Sequence, residues 1–163
     1  SLRTRRGYIR GMARTPPEQV QLVAITPASL REVLALKVRP EQERFVAPNA
    51  VSLAEAYVHP EAWCRAICAD GTPVGFVMLE LRPEVPEFGV WRFMIDARHQ
   101  GRGIGRRGME AVIEHVRGLP GARELLLSFV DAEGSPEAFY ASLGFERTGQ
   151  VIEGEQVMRF ALT

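Results

Sequence analysis

Cysteine is scarce in this chain: only Cys64 and Cys68 occur among 163 residues. Both fall in AWCRAICAD, which reads as a strand, where residues four apart share a face but stand beyond disulfide reach. They are expected as core or near-core thiols of a reducing compartment. Histidine is nearly as rare, and no His or Cys pair stands at ligand spacing beside these thiols, so no metal site is expected. Long apolar runs are also missing: none approaches the roughly 20 residues of a membrane span. Net charge is absent too, since Lys+Arg and Asp+Glu both total 20. That balance gives no sign of a nucleic-acid partner. Together these absences point to a cytoplasmic protein with neither membrane nor nucleic acid as its target.

What is present is ordinary globular material, with 46% hydrophobic and 25% charged residues. The length suits one domain. Residues 1–19 begin with the basic stretch SLRTRRGYIRG and are expected to be a flexible extension or artificial remnant, with a natural start at Met12. The folded domain is then expected to span 20–163.

VQLVAI alternates as a first strand. Thr26 and Pro27 supply an N-cap and first helical position for ASLREVLALKV. RPEQERFVAPN loses its period and reads as irregular. Ser52-Leu53-Ala54-Glu55 has the pattern of a capping box opening a short helix through Tyr57. AWCRAICA and PVGFVMLELR then form a hairpin around Asp70-Gly71-Thr72, and VWRFMID follows as another strand. RRGMEAVIEHVRGL places Met109, Val112, Ile113 and Val116 at helical spacing. ARELLLSFV is a buried strand. SPEAFYASLGF is a helix with Ser135 as N-cap and Gly144 as C-terminal cap. ERTGQVIEG and EQVMRFAL close the chain as strands around Glu153–Gly154. This order of elements defines an α/β (α+β) domain without repeat or linker.

The segment ARHQGRGIG joins a strand to a helix, and free amides at a helix start attract phosphate. Gly101, Gly103 and Gly105 let the chain curl closely around an anion, with no side chain at Gly103 or Gly105 to obstruct it. Arg98, Arg102, Arg106 and Arg107 add positive charge. The spacing is wrong for a dinucleotide-binding turn, and no Gly-Lys-Ser/Thr follows to make a Walker A loop.

Gln100, Gly103 and Gly105 match the coenzyme motif Gln/Arg-x-x-Gly-x-Gly/Ala. Phe139, Tyr140, Leu143, Gly144 and Phe145 match a second motif, in the same order and at the usual separation. On these residues the chain resembles the GNAT superfamily of N-acetyltransferases over nearly all of Val20–Leu162. The resemblance implies a mixed, mostly antiparallel central sheet flanked by helices, with acetyl-CoA as acetyl donor. It implies that Phe93, Met94 and Ile95 pair with the pantetheine arm, in a slot opened by a splay between their strand and ARELLLSFV. Gln100, Gly101, Arg102, Gly103, Ile104, Gly105 and Arg106 would hold the pyrophosphate, and Phe139 would complete the coenzyme site. The family often has an Asn ahead of its second motif. This chain has Asp131–Pro136 there, which leaves Ser135 as a substitute contact. The proline common before the coenzyme motif is replaced by Ala97.

Acetyl transfer to an amine needs a neutral amine, a stabilised oxyanion and a proton for the departing thiolate. Tyr140 is the implied proton donor, and an ordinary phenol pKa of about 10 keeps it protonated near neutrality. No base is singled out, with Glu80 and Glu87 as candidates. EQERFVAPNAVSLAEAY and WRFMIDARHQGRGIG together look like the bacterial spermine/spermidine acetyltransferase branch. A polyamine or diamine acceptor would use Glu41 and Glu43, with Phe45 covering its methylenes; Glu55 is read as a capping-box partner. His99 and the tryptophans Trp63 and Trp91 are assigned no role. An aminoglycoside or other small amine, a protein N-terminus, and a non-catalytic acyl-CoA sensor stay open as alternatives. A homodimer is compatible with the resemblance, although no interface is legible.

Overall fold

The computed structural model describes residues 15–163. The proposed start at Met12 lies outside them. Seven strands form one sheet: β1 (Val20–Val23), β2 (Ala62–Ala69), β3 (Thr72–Arg82), β4 (Glu87–Ile95), β5 (Glu124–Phe129), β6 (Glu146–Ile152) and β7 (Glu155–Ala161). Their order is β1-β2-β3-β4-β5-β7-β6, and every neighbouring pair is antiparallel except β4 with β5. The mixed, mostly antiparallel sheet is therefore present.

Four helices cover it: α1 (Leu30–Ala35), α2 (Asn49–Val58), α3 (Ile104–Arg117) and α4 (Glu137–Leu143). On one face, Met109, Val112, Ile113 and Val116 of α3 pack with Tyr140 of α4 against Ile67, Val77, Leu79 and Val90. On the other, Val33 of α1 and Leu53 of α2 pack against Ala66, Cys68, Phe76, Met78 and Met94. Alternate strand residues divide between the two cores, as a pleated sheet with both faces covered requires. Cys64 and Cys68 share the α1/α2 face as free thiols.

The helical boundaries differ from the sequence expectation. Thr26 is not the N-cap of α1; that position belongs to Ser29, whose Oγ accepts from the Thr26 amide at 3.0 Å. The helix then stops at Ala35, because Leu36 is extended and Pro40 disfavours a helical Arg39. The stretch expected to be irregular winds into a 3-10 turn, Pro40–Phe45. Helix α2 opens at Asn49 behind Pro48, three residues before the supposed capping box. Buried Asn49 donates to the Val33 carbonyl at 2.9 Å and so ties α2 to α1. Helix α4 likewise has Pro136 at its N-cap position, one residue beyond Ser135.

Residues 15–19, assigned to the extension, run against the domain. The amides of Glu18 and Gln19 donate to the Asp70 carboxylate at 3.2 and 2.8 Å, while Arg107 donates to the carbonyls of Pro17 and Glu18.

Candidate active site

Two irregularities in β4 shape the site. Its pairing with β5 is confined to Gly89↔Leu126 and Val90↔Leu127, so the strands part beyond Val90. The expected splay is present. In addition, Met78 pairs with Arg92 and Leu79 with Val90, which makes Trp91 the extra residue of a β-bulge. The opening between the strands leads to the start of α3.

There Gly101 and Gly103 both have φ near the left-handed value, 77° and 76°, and a Cβ built on either would meet nothing within 4 Å. Gly103 is the N-cap of α3 and caps it with no side chain, which leaves the first amides of that helix without a side-chain acceptor at the cap. Gly105 serves a different purpose: a Cβ there would lie 3.4 Å from the Phe139 ring, so this glycine admits an aromatic neighbour. The fit of a pyrophosphate therefore rests on Gly101, Gly103 and the helix amides.

A cavity of about 530 Å³ follows this opening. Phe93, Met94, Ile95, Gln100, Gly101, Gly103, Gly105, Arg106, Ser135, Phe139 and Tyr140 all line it, as does Phe45. Arg102 and Ile104 do not. The Ile104 side chain is buried in the core, leaving only its backbone for the cradle. Arg102 turns aside to His99 Nδ1 at 2.9 Å and to the Thr15 carbonyl at 3.2 Å. Burial, reinforced by Arg102 and Arg98 against the pull of Asp96, lowers the His99 pKa and so favours the neutral ring, whose Nδ1 can accept from Arg102. Arg106 reaches Ser142 on α4, and Arg98 is bound to Asp96. Much of the positive charge counted along the turn is thus engaged in holding its surroundings.

Tyr140 sits where this cavity meets a second one of about 740 Å³, and it lines both. A row of aromatic rings sets its position: Phe93 to Phe139 at 6.2 Å, Phe139 to Tyr140 at 5.5 Å and Tyr140 to Phe145 at 5.9 Å. Burial pushes the pKa of its hydroxyl up to about 12. The arrangement is an acid held in its protonated form beside a two-chambered cleft. The model of the acetyltransferase (GNAT) family matches residues 30–145. The chain belongs to that family.

The spermine/spermidine N(1)-acetyltransferase of Bacillus subtilis is 30% identical over 150 residues, 85% of this chain and 96% of the relative. Among solved structures, an acetyltransferase from Thermus thermophilus superposes with a TM-score of 0.70 at 22% identity, covering 90% of this chain and 99% of that one. The spermidine N-acetyltransferase of Vibrio cholerae, solved with CoA and spermine, gives a TM-score of 0.68 at 18% identity, covering 88% and 96%.

In this GNAT enzyme the larger cavity extends away from the glycine turn. Glu43 and Phe45 line it, whereas Glu41 lines neither cavity. Glu80 is on its wall, in an ion pair with Arg82 at 2.7 Å; Glu87 is not. Glu153 and Glu155, from the β6–β7 hairpin, join Glu43 and Glu80 on this lining; sequence reasoning missed these two because the hairpin is distant in sequence and looked like a plain turn. The 3-10 turn crosses the cleft between the two chambers: Arg44 donates to the Glu133 carbonyl and its guanidinium lies 4.6 Å over Phe45.

Two further residues gave little sequence signal. Gln42 accepts from Gln100 at 2.8 Å, and the same Gln100 amide donates to the Ile95 carbonyl at 2.9 Å. Asp96, buried at the end of β4, accepts from the backbone of Lys37 and from the backbone and side chain of Arg98, each at 2.9 Å. Burial pushes this carboxyl up, but the Arg98 hydrogen bonds and charge and the Lys37 amide outweigh it and hold the pKa below the ordinary value. Glu55 makes no capping box: its carboxylate takes a forked pair of bonds from Arg92, at 3.1 and 3.3 Å.

Proposed function

We propose that this acetyltransferase moves the acetyl group of acetyl-CoA directly to a primary amine, and that the acceptor is a polyamine or diamine of the spermine/spermidine type. The observation that carries the reading is the larger cavity, which meets the glycine-turn cavity at Tyr140 and has Glu43, Glu80, Glu153 and Glu155 on its walls. Phe45 and Trp91 line the same cavity and suit the methylenes of an extended cation. The named activity of the Bacillus relative supports the same acceptor class. A cytoplasmic location belongs to this reading.

The chemistry follows from the placement of groups. The first α3 amides, Gly101 and Gly103 would hold the pyrophosphate, and the open edge of Phe93–Ile95 would hold the pantetheine arm. A neutral amine entering from the larger cavity forms the C–N bond with its lone pair as the C–S bond breaks. The nitrogen gives up one proton and the sulfur gains one, so the step balances. Tyr140 donates toward the sulfur, while Glu80, directly or through water, is the candidate to take the proton from nitrogen.

The test is a panel of spermine, spermidine, short diamines, aminoglycosides and peptides incubated with acetyl-CoA, followed by free thiol and product mass. Spermine- or spermidine-dependent thiol release with a singly acetylated product is expected. Turnover restricted to aminoglycosides or peptides would overturn the acceptor assignment. Coenzyme binding without turnover on any amine would favour the sensor.

A further inference from the structure

The bulge at Trp91 has a consequence for charge. Because one residue is inserted, Trp91 and the next side chain, Arg92, both reach the α2 face: Trp91 packs in the α1/α2 core and Arg92 meets Ser52 Oγ at 3.2 Å and Glu55 at 3.1 and 3.3 Å. Arg92 also lines the larger cavity, with its side chain only 17% exposed. Its guanidinium lies 5.6 Å from the Trp91 ring centroid. A fixed cation in the wall of an amine-binding chamber opposes the ligand, and in a partly desolvated cleft it does so more strongly than in water. Glu55 offsets it through a forked, charge-assisted pair that a point charge would not match.

We infer that Glu55 masks Arg92 and thereby sets the charge preference of the acceptor chamber. With the pair intact, that wall is neutral, and Glu43, Glu153 and Glu155, which pair with no cation among the described residues, outnumber Arg44, the other lining cation without a carboxylate partner there, and favour a cation. With the pair broken, the wall favours an acceptor that carries a carboxylate beside its amine. Glu55 acts through Arg92 and is a specificity-determining residue rather than a catalytic one. The inference rests on the amine-acceptor reading above.

Kinetics with spermidine and with ornithine, a diamine bearing a carboxylate, test it in wild type, Glu55→Gln and the double variant Glu55→Gln/Arg92→Gln. In Glu55→Gln the spermidine KM is expected to rise about five- to tenfold at low salt, and less at high salt, while the ornithine KM falls. The KM for acetyl-CoA stays within about twofold, because neither residue lines the coenzyme cavity. The double variant removes the exposed cation and is expected to return the spermidine KM toward wild type. If the pair only clamps α2 to β4, the double variant stays as impaired as the single one, which overturns the inference. An unchanged spermidine KM in Glu55→Gln overturns it as well, with the functional reading intact. Wild type that acetylates no amine defeats both together.

Discussion

Tyr140 gathers the aromatic row, the junction of two cavities and a strongly raised pKa into one side chain. Desolvation alone lifts the phenol to about 12, so it stays protonated across the neutral and mildly alkaline range. In the proposed reaction it is therefore the donor rather than the base. An ordinary thiol pKa near 8.5 makes a thiolate a weaker base than this phenolate. On the proposed mechanism the hydroxyl would stabilise the sulfur by hydrogen bonding as negative charge builds, with net protonation completed by the proton that nitrogen releases. Tyr140→Phe is expected to lower kcat by about 100-fold or more while changing the KM for acetyl-CoA little. The pH profile of wild type should rise with amine deprotonation and show no fall from phenol ionisation below about pH 10. A Phe variant with undiminished kcat would reduce Tyr140 to a packing residue.

Between elements, the most consequential single group is the Asp96 carboxylate. It joins the segment after α1 to the end of β4 and caps the short turn that leads to the glycines. The Ala97 amide adds a bond to the Lys37 carbonyl at 2.8 Å, so this junction also anchors the approach to the 3-10 turn over the cleft. Asp96→Asn is expected to cost about 1–3 kcal/mol at neutral pH. The sign follows from the depressed pKa: the stabilisation is present above the unfolded carboxyl value near 4 and is lost as pH falls through the lower folded value. Thermal unfolding should therefore separate wild type from variant at pH 7, and the gap should close below about pH 4. A gap that persists unchanged in acid would mean that the carboxylate's charge is irrelevant. This junction also marks the limit of what was legible in the sequence. Apolar patterning announced the inner strands and the long α3, because burial on a pleated sheet or a helix stripe is written locally, whereas β6, exposed along its whole length, was legible through the turn at Glu153–Gly154. The glycine turn and Tyr140 were legible through motif order. Asp96, Gln42, Arg92 and Glu155 were not, because their roles depend on partners 37 to 59 positions away or on a hairpin folded over the cleft. The four-residue signature at Ser52–Glu55 misled for the same reason: Glu55 had a stronger partner in Arg92 across the α2–β4 interface than any amide in its own helix.

At the scale of the molecule, the sheet is two sections joined by a short parallel seam. Strands β1 to β4 form one section and β5, β7 and β6 the other, with Gly89↔Leu126 and Val90↔Leu127 as the seam. Beyond it, the β5-facing edge of β4 lacks strand pairing, an unpaired stretch between two inner strands of the sheet. A coenzyme arm running along Phe93–Ile95 would supply the missing partners and connect the two sections, in addition to occupying the cradle at α3. Coenzyme at about 100 times its Kd should stabilise the fold by roughly 2.7 kcal/mol. Amide exchange locates that gain. Slowed exchange is expected within residues 93–95 as well as at 101–106, because both the strand edge and the helix start acquire hydrogen-bond acceptors. Protection confined to 101–106 would place the arm outside the split and remove the reason for β4 and β5 to part where they do.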